Sequence, residues 1–155
     1  MDKEQVRVML GELETRFKKL NVETAWLAGG ENQIGDTLRA LLPVTKEGGH
    51  VLLEVMVDPL DADTDLLDIF ISIIMEVGPG YEELKEAMLE WNIDSPIGYF
   101  GVYSQSRTFF FRYTYPFPGV LPPEDLAVEA AYLIDVCAAV TSAVYPEAVR
   151  ISGHS

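Results

Sequence analysis

Between residues 81 and 118 the chain reads as a helix, a turn and two aromatic strands, and that order limits what it can fold into more than any other feature. The helix spans 81–91, with Leu84, Met88 and Trp91 on one stripe and Asn92 placed to end it. Asp94-Ser95-Pro96 turns the chain. Two strands, 99–103 and 108–115, then face each other across Ser104-Gln105-Ser106-Arg107, a loop of hairpin length. Strands joined by a hairpin pair antiparallel, and aromatic side chains reward cross-strand contact.

The remaining segments extend this plan. Residues 3–20 form a first helix: Asp2 suits the N-cap, Lys18 and Lys19 suit the negative end, Asn21 can close it, and Val6, Leu10, Leu13, Phe17 and Leu20 make one apolar stripe. Residues 24–28 suit a short strand, and Gly29-Gly30-Glu31-Asn32 a turn. Segments 38–44 and 51–57 flank Lys46-Glu47-Gly48-Gly49 as a hairpin. In the second of them Val51, Leu53, Val55 and Val57 alternate with His50, Leu52, Glu54 and Met56. Segment 67–77 reads as a third strand, with Ile69, Ile71, Ile73 and Met75 on one side; a helix is the competing reading. The last helix opens at Pro122-Pro123, carries Glu124 and Asp125 in its first turn, and is expected to stop before Pro146.

The expected fold is therefore a single α+β domain over 1–155, in the order α-β-β-β-α-β-β-α. Its antiparallel, twisted sheet has about five strands, with helices mainly on one side, because hairpins rather than crossovers join the strands.

Charge and cysteine content restrict partners and setting. With 25 acidic against 11 basic residues the formal charge is −14, a field that repels phosphate backbones and anionic lipid, so nucleic acid is not an expected partner. A hydrophobic content of 48% is too high for a disordered acidic chain. The single cysteine, Cys137, and a charged Met1-Asp2-Lys3-Glu4 start without a signal-type apolar run lead to a cytosolic expectation. Segment 126–145 is apolar enough to suggest a membrane span, but Glu129 and Asp135 in its interior favour a buried helix.

No arrangement of catalytic, metal or cofactor residues stands out. His50 and His154 are isolated, and Cys137 lies among alanines and valines as an inert thiol. Asp61, Asp63, Asp65 and Asp68 alternate like a calcium loop, yet Leu66 and Ser72 occupy the positions that need glycine and glutamate. Gly78-Pro79-Gly80 and Gly29-Gly30 lack the lysine of a phosphate loop, and neither Ser95 nor Ser104 sits in a nucleophile elbow. The expectation is a protein without enzyme activity, cofactor or metal.

Leu89-Glu90-Trp91-Asn92, the turn Pro96-Ile97-Gly98 leading into a strand, Arg112 in the strand after it, the connection from Pro116 to Leu121 and the closing helix together resemble the YbjN family. Members of that family share the fold of type III secretion chaperones. The likeness covers residues 81–145 by motif and the rest by element order. It implies a small acidic protein, commonly dimeric, of a group in which the secretion chaperones bind unfolded segments of other proteins without ATP. It implies no catalytic residues.

Two apolar surfaces exceed what a core requires. Leu52, Met56, Phe70 and Ile74 are expected on the outer face of the second and third strands, as a partner-binding patch unless one of the chain's own helices covers them. The last helix is apolar nearly all round, which places Tyr132, Val136, Val140 and Ala143 either against the rest of the chain or at a homodimer interface. The leading expectation is a chaperone-like homodimer that buries an apolar segment of another protein. The alternative is a regulatory or sensory adaptor with a pocket for a small apolar ligand.

Overall fold

The computed structural model describes residues 1–30 and 35–153. Helix α1 (Lys3–Lys19) starts in a capping box: the Asp2 carboxylate accepts the Gln5 N–H at 2.8 Å, and the Gln5 side chain accepts the Asp2 N–H at 2.9 Å. It ends as Asn21 turns into the left-handed region, φ 60°. Its buried stripe is Val6, Met9, Leu10, Leu13 and Phe17, whereas Leu20, expected on that stripe, is the C-cap residue and is exposed. The expected turn at Gly29-Gly30-Glu31-Asn32 and the tail holding His154 run into residues outside those described.

Six strands follow: β1 (Thr24–Leu27), β2 (Thr37–Pro43), β3 (His50–Pro59), β4 (Thr64–Ile74), β5 (Tyr99–Val102) and β6 (Phe109–Pro118). Helix α2 (Tyr81–Asp94) joins β4 to β5, and α3 (Pro123–Ser152) closes the chain. The sheet order is β1-β2-β3-β4-β6-β5, every pair antiparallel. The fold is α+β, as expected; the short strand suggested at 24–28 is present as β1, paired with β2, and it adds one strand to the expected order and makes the sheet six-stranded where about five were expected. Segment 64–74 is strand, not helix: the β-branched Ile69, Ile71 and Ile73 line its inner face, and it pairs along its length with two long neighbours.

The helices form one layer on one face. Helix α3 contacts both α1 and α2; α1 lies over β1 and β2, α3 over β4 and β6, and α2 over β5. The core fills the space between this layer and the inner residues of the strands, among them Leu53, Val55, Ile69, Ile71, Phe109 and Phe111.

Helix α3 does not stop before Pro146; it continues through it to Ser152 and ends at Gly153, φ 80°. A proline inside a helix forfeits one backbone hydrogen bond and crowds the preceding turn. Docking of the final turns offsets that loss. Ala148, Ile151 and Ser152 are buried, and the Gly80 N–H donates to the Ser152 carbonyl at 3.3 Å while the Gly78 N–H donates to Ser152 Oγ at 3.1 Å. Gly80 is required for so close an approach, since a Cβ there would lie 1.6 Å from the Ile151 carbonyl oxygen. The Arg107 guanidinium ties the second hairpin to the same turn, donating to the carbonyls of Val77 at 2.9 Å and Gly78 at 2.8 Å and lying over the Tyr81 ring.

Candidate interaction surfaces

With all three helices on one face, the other face of the sheet carries no helix. Register places the outer residues in rows across the strands: Glu54, Phe70, Arg112 and Tyr99 are successive partners, and Leu41, Leu52, Ser72, Phe110 and Gly101 form the next row. Leu52, Met56 and Phe70 therefore sit on the helix-free face, each half-buried. Ile74 does not join them. The β4–β6 register shifts between Ser72 and Ile74, so Ile73 and Ile74 together occupy the level of Phe109. A bulge of this kind breaks the two-residue alternation, and Ile74 packs against the core instead.

Aromatic rings cover the β4–β6–β5 part of this face. Phe110 stacks with Phe70, centroids 4.9 Å apart, and with Tyr103, at 4.6 Å, those two rings lie 6.4 Å from each other, and Tyr99 meets Phe110 edge-on at 6.1 Å. The Phe110 ring lies directly over Gly101, where a Cβ would come within 2.5 Å of it, so the glycine makes room for the stack. Phe110 is only 6% exposed as a result, while Tyr99 and Tyr103 remain 46% and 48% exposed. Beside the rings, Arg112 forms a bidentate pair with Asp68 at 3.0 and 2.7 Å, and Arg39 pairs with Glu54 at 3.2 Å. The hydrogen bonds that Arg112 donates to the Asp68 carboxylate hold the pKa of its guanidinium above the ordinary value. Asp58, next along this face, is raised by burial and then by the charge of Asp68.

The second surface follows α3. Val136, Val140 and Ala143 line an apolar groove of about 420 Å³ opposite Trp91 and Pro96, with Phe100 at its base. Tyr132 stands one turn earlier on the same stripe and is 67% exposed. The inner side of α3 is enclosed: Leu126, Ala130, Ile134, Cys137 and Thr141 are buried. By length and composition α3 is apolar enough to cross a membrane, but here its buried side belongs to the common core.

The edges of the sheet are treated differently. At β5 the Asn92 carboxamide takes both backbone groups of Phe100, accepting its N–H at 2.6 Å and donating to its carbonyl at 3.1 Å. One side chain thus stands where a neighbouring strand would pair. At β1, nothing among the described residues pairs with the outer edge.

The groups tested above for chemistry have structural partners. Asp61 accepts the N–H groups of Asp63 and Thr64, Asp65 pairs with the Met1 amine at 2.7 Å, and Asp68 pairs with Arg112. The aspartate series is thus divided among a turn and two ion pairs, and among the described residues no group of three or more His, Cys, Asp or Glu side chains is placed to hold a metal ion. Burial pushes the Cys137 thiol up to about 12, and His50 Nδ1 lies 2.7 Å from the Gly48 carbonyl on the surface. Asp36 gathers the Gly29 N–H, Trp26 Nε1 and Arg7 Nε, and the Gly29 bond foremost holds it below the usual aspartate range.

No protein-family model matches this sequence, and no curated protein matches it.

Proposed function

We propose that this chain is a non-enzymatic, cytosolic, chaperone-like protein that holds an apolar segment of another protein against the helix-free face of its sheet. The observation that carries this reading is the aromatic stack of Phe70, Phe110 and Tyr103 with Tyr99 beside it. A sheet face left to solvent ordinarily alternates to polar residues; this one presents rings, flanked by Leu52 and Met56. Half-exposed tyrosines supply broad, rigid contact area at low entropic cost, and the paired charges of Arg112–Asp68 and Arg39–Glu54 border them without offering an unpaired ion to the incoming chain. The resemblance to the YbjN family and its chaperone-type fold points the same way. The alternative of a small apolar ligand draws on the α3 groove, but Ala139 and Ala143 in that groove are exposed, giving an open trough and not an enclosing pocket.

A polypeptide held unfolded by reduction and alkylation is a suitable probe. Titration should broaden or shift the ring resonances of Phe70, Tyr99 and Tyr103, and the double variant Tyr99→Ser, Tyr103→Ser should weaken binding by about tenfold or more while staying folded, with a melting temperature lowered by the lost contacts to Phe110. Unchanged binding by a folded double variant would overturn the assignment of the site.

A further inference from the structure

We infer that the groove between α2 and α3 receives the apolar face of a basic amphipathic helix from another protein. Trp91 and Pro96 form one wall, and Val136, Val140 and Ala143 the other. Including Tyr132, the stripe on α3 rises about 16 Å, three helical turns, which matches the contact length of a short helix lying in a groove.

Charge identifies the occupant. Helices α2 and α3 each carry five carboxylates and a single cation. Glu90 lies one turn before Asp94, which lines the groove, and Glu129 and Glu147 fall seven residues before Val136 and after Val140 on the same side of α3. The one cation on α3, Arg150, is already paired with Glu147. The slot is thus apolar along its length and acidic on the α2 wall and at the Glu129 end, with the Glu147–Arg150 pair closing the other end. A second copy of this chain would bring the same acidic helices and another net charge of −14. A helix with apolar residues at one-turn spacing and lysine or arginine on the border that faces α2 and at the end near Glu129 meets the slot and its rim at once. The groove lies on the helix layer, on the opposite side of the molecule from the aromatic stack, so this inference stands apart from the function proposed above.

The test uses the full chain and three synthetic peptides of about 14 residues: a Leu/Lys amphipathic helix, a Leu/Glu helix of the same spacing, and a Leu/Lys sequence with the spacing scrambled. The ordered Leu/Lys peptide should shift the methyl resonances of Val136, Val140 and Val144 saturably. Binding should weaken about tenfold in Ala143→Lys or Ala139→Lys, both at exposed positions, and severalfold in about 0.5 M salt. Equal binding of the Leu/Glu peptide, or shifts confined to other parts of the molecule, would overturn the inference. So would a homodimer in light scattering that either lysine variant dissociates, which would give the groove to a second copy.

Discussion

The two faces of the sheet share one backbone and are shielded in opposite ways. Toward the helices, β4 and β6 present Leu67, Ile69, Ile71, Phe109, Phe111 and Phe117, none more than 2% exposed, and the second layer of the domain closes over them. Away from the helices the same strands present Asp68, Phe70, Ser72, Phe110 and Arg112, where rings shield rings and charges shield charges. Phe110 and Phe111 show the contrast within one dipeptide: both are almost inaccessible, one under a helix layer and the other under two neighbouring rings. Stacking can therefore cover part of a sheet without a second layer, at the cost of leaving the outermost rings in water. Those outermost rings, Tyr99 and Tyr103, are where a partner would dock.

That contrast is open to direct attack. The largest effect is expected for Phe111→Ala, about 3–5 kcal/mol by chemical denaturation, because a ring is deleted from a core that cannot collapse around the gap. Phe110→Ala should cost less, about 2 kcal/mol, since it removes two stacking contacts and bares Gly101 but leaves no enclosed cavity. Equal losses at the two positions would make the outer face a second core and remove the basis for a docking surface.

Asn92→Ala comes next. It should cost about 1 kcal/mol by leaving the Phe100 N–H and carbonyl without their partner, and it should raise concentration-dependent association in sedimentation. A destabilised variant that stays monomeric at every concentration would show that the carboxamide supports the fold without guarding the edge.

The smallest effects are electrostatic and opposite in sign. Asp36 has a folded value below the ordinary 3.8, so its contribution is present above pH 3.8 and is lost as pH falls through the lower folded value. Asp36→Asn should therefore lower the melting temperature at pH 7, and the gap to wild type should narrow below pH 3.8. Asp58, on the helix-free face, is raised, so its ionised form opposes folding at neutral pH and that penalty disappears as pH falls through its folded value. Asp58→Asn should match or exceed wild-type stability at pH 7, with any gain fading toward pH 3.8. Melting curves of both variants across that range separate the two.

Where one interaction dominates locally, the sequence is readable. The Asp2 cap, the alternation from Val51 to Val57 and the spacing of Leu10, Leu13 and Phe17 each correspond to an observed feature, because each rests on one helix turn or one strand period. Leu52, Met56 and Phe70 follow from the same period. Ile74 escapes it because a single extra residue in the β4–β6 ladder, invisible in composition, reverses every later side chain. The run Phe109-Phe110-Phe111 conceals its faces for another reason: all three positions are apolar, so alternation carries no contrast, and only register shows that Phe110 points away from the helices. Pro146 misleads because local propensity stops a helix that tertiary docking on Gly78 and Gly80 continues. The groove opposite Trp91 joins residues 36 or more positions apart and has no local trace.

The Asn92 carboxamide sets a limit on assembly. A sheet with two free edges is a bifunctional monomer and can add copies without end, whereas a sheet with one edge occupied behaves like a chain terminator in a polymerisation. Both β1 and β5 end the sheet, but at β5 the Phe100 groups are taken by Asn92, so strand addition is expected to favour the β1 edge, where two copies can join. A single side chain thereby biases the valence of the sheet toward one.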